Sequence, residues 1–137
     1  MHDYPAKILV AFAEAVDENS KVLYWLIENG YPELGATANS MQLNKEAFDW
    51  LMKHKYYHLA AFSKAVWDEK EAYHWLKMHQ YELLVRLADA ILDDDYSLQW
   101  FKENDLTVFA IIAAKAREMI KRKKRILGDY HRLHFFR

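Results

Sequence analysis

Cysteine is absent from the 137 residues, glycine occurs three times and proline twice. Without a thiol there is no disulfide framework, no thiolate metal site and no Cys nucleophile, and a reducing, intracellular setting is the simpler expectation. No stretch approaches the roughly 18 apolar residues that a membrane span needs. The opening Met1-His2-Asp3-Tyr4-Pro5 lacks a basic region leading into an apolar one, so a cytoplasmic protein is expected. Also missing are a Gly-rich phosphate loop, a nucleophile elbow and an HExxH pair. Ser20, Ser40, Ser63 and Ser97 are too few and too regularly placed to read as nucleophiles. These absences lead us to expect neither catalysis nor a cofactor nor a bound metal.

What the chain does have is a period. Trp25, Trp50, Trp75 and Trp100 stand 25 residues apart, each preceding a large apolar residue: Leu26, Leu51, Leu76 or Phe101. Leu9, Leu34, Leu59, Leu84 and Phe109 share a second column, and Ala13, Ala38, Ala88 and Ala113 a third that only Ser63 interrupts. Self-similarity at such a period marks an array in which each unit buries its apolar face against the next. An apolar fraction of 53 %, with 15 % aromatic residues, is ample for one packed domain.

Each unit reads as two short helices. In the third, Leu59, Phe62, Ser63 and Val66 have the spacing of one helical face, and Ala72, Trp75, Leu76 and His79 have it again. Between the two lie Asp17-Glu18-Asn19-Ser20, Leu43-Asn44-Lys45, Asp68-Glu69-Lys70-Glu71 and Asp93-Asp94-Asp95. Their side chains can accept from the free amides that open a second helix and suit its positive end, with Asp68 and Glu71 at capping-box spacing. Asn29, His54, His79 and Asn104 form a column where the second helix stops, so His54 and His79 are expected to face terminal carbonyls. His54 with His58, and His131 with His134, have helical metal-ligand spacing, but no nearby carboxylate completes a site.

The segment from Ala15 to Tyr31, with its small residue, polar turn, apolar second helix, paired large apolar residues and terminal Gly30, resembles the two-helix part of an ankyrin repeat. At 25 residues, against about 33 in that family, the unit has no room for the projecting hairpin. The Gly usual between the paired helices is replaced by Glu18, Leu43, Asp68 and Asp93, which points to a different interhelical turn. The resemblance implies a non-catalytic protein-protein interaction scaffold. The expected architecture is all-α: an elongated α-solenoid of about four helix-turn-helix repeats over residues 1–108, closed by a long basic capping helix and tail over 109–137.

Candidate partner-binding residues emerge from the columns. Glu14, Asn39, Lys64 and Asp89 vary from unit to unit, with Ala11, Ala36, Ala61 and Arg86 three residues earlier, as a surface tuned to a protein partner would. Trp67 shares its column with Asp17, Gln42 and Leu92. Either it forms an exposed apolar spot with Leu92, or it covers the core edge beneath a turn. The repeat tryptophans are expected to be interior, filling the space between units.

Charge divides the chain. Residues 1–110 carry 10 Lys and Arg against 18 Asp and Glu, and residues 111–137 carry 9 against 2, balances of −8 and +7. Lys115, Arg117, Lys121, Arg122, Lys123, Lys124 and Arg125 supply most of the basic excess. Such a run can neutralise nucleic-acid phosphates, meet an anionic membrane surface or fold back on its own acidic body. Phe135 and Phe136 are expected to pack on the array or on a second copy, and a homo-oligomer is a further possibility.

Overall fold

The computed structural model describes residues 1, 3–92 and 94–135, with side chains described as far as residue 128. Among them there are nine helices and no strand. Unit one holds α1 (Ala6–Val16) and α2 (Ser20–Glu28), and unit two α3 (Pro32–Met41) and α4 (Lys45–Lys53). Unit three holds α5 (Tyr57–Ala65) and α6 (Lys70–Met78), and unit four α7 (Glu82–Ile91) and α8 (Asp95–Glu103). The last helix, α9 (Thr107–Phe135), begins where a fifth first helix would and runs on to a length of about 43 Å.

Two nearly identical turns set the period. At the end of each second helix the amide of Tyr31, Tyr56, Tyr81 or Leu106 donates to the carbonyl of Leu26, Leu51, Leu76 or Phe101. The intervening Gly30, Lys55, Gln80 and Asp105 are left-handed, with φ of 93°, 64°, 62° and 58°. This is a Schellman turn, in which a helix folds back onto its own last carbonyls. The same device ends the first helices. Asn19, Asn44 and Asp94 donate to Glu14, Asn39 and Asp89, past left-handed Glu18 and Leu43 in the first two units. Asn19, Asn44 and Asp94 then cap the next helix with their side chains. One residue thus ends one helix and starts another, which keeps the unit short.

At the interhelical turn Glu18, Leu43 and Asp68 take positive φ without a Gly, each L residue bearing the local strain. One expectation is corrected here: the capping box from Asp68 to Glu71 does not form, because Asp68 occupies that left-handed position and Glu69 stands at the cap without a side-chain bond. Leu43, at φ 72° and 48 % exposed, isolates the strain. Leu43→Gly should raise stability by about 1 kcal/mol, read as a higher Tm.

Each second helix packs on the first helix of its own unit and on that of the next. The first helices also touch one another in the order α1, α3, α5, α7, α9, and α9 returns to α1. The array is therefore joined end to end, and the free rod expected from the sequence has no free first helix. Phe12, Thr37, Phe62, Leu87 and Ile112, one column of the repeat, are all 0 % exposed, as the inside of such a ring requires. Met119 and Ile120 extend the buried stripe of α9 beyond the length of an ordinary first helix.

The tryptophans are not the spine. Leu26, Leu51, Leu76 and Phe101 are buried completely, whereas Trp50, Trp75 and Trp100 are half-buried and Trp25 is 45 % exposed. The residue after each Trp faces the interior, and the indole, one position round the helix, lies at the edge of the layer. In the middle units it stacks on the His and Tyr rings of the turn that ends its helix. Trp50 lies 4.1 Å from His54 and 5.9 Å from Tyr56, and Trp75 4.1 Å from His79 and 5.8 Å from Tyr81. Leu51→Ala should cost about 2–5 kcal/mol and Trp50→Ala clearly less, by chemical denaturation. The reverse order would place the indoles in the core after all.

Candidate functional site

Second helices of successive units leave grooves between them, floored by a first helix. The groove over α5 is lined by Phe48, Met52, Tyr57, Ala60, Ala61, Lys64, Glu71, Ala72 and Trp75, and holds about 490 Å³. The groove over α7, of about 640 Å³, includes Lys77, Glu82, Val85, Arg86, Asp89, Tyr96, Ser97 and Trp100. Moving one unit along the chain converts Met52, Tyr57, Ala60, Ala61, Lys64 and Trp75 into Lys77, Glu82, Val85, Arg86, Asp89 and Trp100. The two grooves are therefore the same place in consecutive units. In unit two that place is filled by Ile27, so close to Gly35 that a Cβ there would stand 2.6 Å from Ile27 Cγ1.

The variable column meets these grooves in its later members. Lys64 lines the first groove with its ammonium 4.6 Å from the Phe48 ring centre, and Asp89 lines the second while accepting from Tyr73 Oη at 2.8 Å. That bond, together with burial as the larger cause, pushes the Tyr73 phenol up to about 12. Glu14 lies at 3.7 Å from Lys115, and Asn39 is half-buried on α3. Lys64 and Asp89 thus line the grooves, whereas Glu14, half-buried like them, faces Lys115 instead.

Trp67 is half-buried and donates from Nε1 to the Met41 carbonyl at 2.8 Å, which is the position under a turn. Its column turns out to be an inter-unit tie. Gln42 Nε2 donates to Ala15 O at 2.7 Å and Arg117 Nε to Ala90 O at 2.7 Å, each reaching the C-terminal carbonyls of the preceding first helix. Sequence inspection missed this role, because Gln, Trp and Arg share only a long side chain with an N–H. Asp17 and Leu92 are the column members without a donor; Asp17 instead accepts from Lys115 and Arg122, while Leu92 is 36 % exposed. Leu92→Gln should complete the series and add about 1 kcal/mol of stability, measured by thermal melting.

The basic helix is largely committed inside the molecule. Lys115 meets Asp17 at 3.4 Å, Arg122 meets Asp17 at 2.7 Å and Glu18 at 3.3 Å, and Lys123 meets Glu18 at 3.4 Å. Arg122 also donates to Asp17 O, and its guanidinium is held above its ordinary range by the bond to Asp17. Arg117 pairs with Asp95 at 3.2 Å. Lys121 faces Glu118 on its own helix at 3.9 Å, and Lys124 and Arg125 are exposed. Of the three arrangements that the charge division allows, the basic helix adopts the fold-back on the acidic body.

The histidines serve the helix ends and the aromatic stack. His54 Nδ1 lies 3.0 Å from the Trp50 carbonyl, so that nitrogen carries the proton, and Asn29 and Asn104 each donate to Trp25 O and Trp100 O at 2.8 Å. His58 stacks on Tyr81 at 5.1 Å. Burial, with the charge of the N-terminus as a lesser cause, holds its pKa below 6.5. Among the described residues no group of three His, Asp or Glu converges as a metal site, and no helix is long and apolar enough to cross a membrane. Asp93, His131, His134, Phe135 and Phe136 lie outside the described residues or side chains. Comparison with protein-family models, with curated proteins and with solved structures returns no match.

Proposed function

We propose that this protein is a non-catalytic recognition module: a ring-closed relative of an ankyrin-like α-solenoid whose outer grooves seat a segment of a protein partner. The observation that carries this reading is the recurrence of one groove at the same repeat position in consecutive units. A groove kept open twice at one register while its lining residues change is how a repeat protein varies specificity without altering its frame. The groove over α5 supplies an apolar seat from Phe48, Met52, Ala60 and Trp75, flanked by Lys64 and Glu71, the composition of an interface core with a charged rim. The nucleic-acid alternative through residues 115–125 draws on fewer cations than the sequence offers, since Lys115, Arg117, Arg122 and Lys123 already hold acidic partners.

A photo-crosslinking residue placed at Met52 and, separately, at Lys124 tests both readings in lysate of the source cell. The expected outcome is one discrete protein adduct from position 52, competed by unmodified protein but not by a Met52→Glu variant. Equal, uncompeted labelling from both positions would overturn the groove reading. Binding of labelled duplex or single strands at physiological salt, abolished by Lys124→Gln with Arg125→Gln, would establish the alternative in its place.

A further inference from the structure

The two grooves differ at several matched positions: Tyr57 and Lys64 give way to the acids Glu82 and Asp89, Ala60 to Val85, and two further changes bring in cations. The column of Ile27 and Met52 continues as Lys77, and that of Ala11, Ala36 and Ala61 as Arg86. Both replacements put a cation into the groove over α7. Trp100 departs from its column at the same spot. Trp50 and Trp75 are stacked by the His and Tyr four and six residues later, but unit four has Asn104 and Leu106 there. The face of Trp100 is taken instead by Arg86, whose Cζ lies 4.1 Å from the ring centre.

A guanidinium over a ring face is attracted to the ring without needing its N–H groups as hydrogen-bond donors to it. Among the described residues none accepts a hydrogen bond from Arg86. Two of the three acids that line this groove already have donors of their own. Asp89 accepts from Tyr73 Oη, and Asp94 caps α8, accepting from Ser97 Oγ at 2.9 Å and from the Tyr96 and Ser97 amides. The Asp94 carboxyl is held below its ordinary range chiefly by the Ser97 hydroxyl, and Arg86 is the smallest contributor. Glu82, in the first turn of α7 and exposed, stands four residues before Arg86 on the same helix without bonding to it, and the helix dipole favours it there. The planar fork of N–H donors on half-buried Arg86, with Lys77 also lining the groove and its ammonium 5.4 Å from the Tyr73 ring centre, matches a carboxylate bound through both oxygens.

We propose that the groove over α7 is a carboxylate seat for an Asp or Glu side chain of the partner, with Arg86 as the bidentate donor and Lys77 adding charge. It rests on the reading of the grooves as a partner's binding surface. The same partner segment places an apolar anchor in the groove over α5, one unit away. Neighbouring helix axes lie about 8–10 Å apart, so anchor and acid are separated by about three residues of an extended segment or about seven of a helix. Lys, lacking the fork and stacking less well, would not replace Arg86 at such a seat.

The test is selection of a random short-peptide display library on the full chain and on its Arg86→Gln variant, with circular dichroism melts showing that both are folded. Peptides taken by the parent chain are expected to share a large apolar residue and an Asp or Glu at constant separation. Those taken by Arg86→Gln should keep the apolar residue and lose the acid. A selected peptide should bind Arg86→Gln about tenfold more weakly or worse, with only partial recovery in Arg86→Lys. An apolar consensus without an acid, or an equal loss of affinity for the same peptide with its acid replaced by Ala, would overturn the carboxylate seat and leave the recognition reading standing. No consensus on either protein would overturn both.

Discussion

The contact between the last helix and the first is the constraint on which the rest of this structure depends. A row of helix pairs has two ends, and each end exposes the apolar face that an additional unit would cover. Here α9 supplies the fifth first helix to α7 and α8 and then covers α1 as well. With both ends used on each other, the column of Phe12, Thr37, Phe62, Leu87 and Ile112 is removed from water completely. The extra length of α9, past the span of an ordinary first helix, brings Arg122 and Lys123 to the turn after α1.

The charge division of the chain acquires its meaning from that contact. Seen as composition, a basic end and an acidic body invite a polyanion as partner. In the folded molecule Glu14, Asp17 and Glu18 are the polyanion, and the cations that face them align α9 on α1. These pairs are partly exposed and contribute modestly to stability, so the buried stripe holds the ring shut and the charges choose its register. The same division of labour appears between units. Burial of Leu26, Leu51, Leu76 and Phe101 supplies the adhesion, and the long donors of Gln42, Trp67 and Arg117 fix each first helix to the carbonyl end of the one before.

Function, on the proposed reading, resides in what the repeat leaves free. Ring closure consumes the inner faces of the first helices, so recognition moves to the outer grooves. There the column of Ile27 and that of Gly35 differ between units. Ile27 against Gly35 closes the first, while Met52 with Ala60 and Lys77 with Val85 leave the next two open. Unit four then exchanges an aromatic stack for an arginine, which changes the chemistry of the surface without disturbing the turns that set the frame.

The period of 25, the two helices per unit, the caps at Asn19, Asn44 and Asp94 and the helix-ending role of His54 could all be read from residue type and spacing. They are local: each is decided within one or two turns of chain, by which side chain can satisfy which free amide or carbonyl. The placement of the tryptophans could not be read in this way. An indole and its neighbouring Leu differ by a single position on a helix, and the packing of that helix on its two neighbouring first helices decides which of them faces the interior. The tie formed by Gln42, Trp67 and Arg117 was equally hidden, because their partners lie a full unit away. Ring closure and the grooves depend on contacts up to 105 residues apart. A repeating pattern states how each unit meets the next. The rotation accumulated over four such steps, which brings the last helix back to the first, exists only in three dimensions.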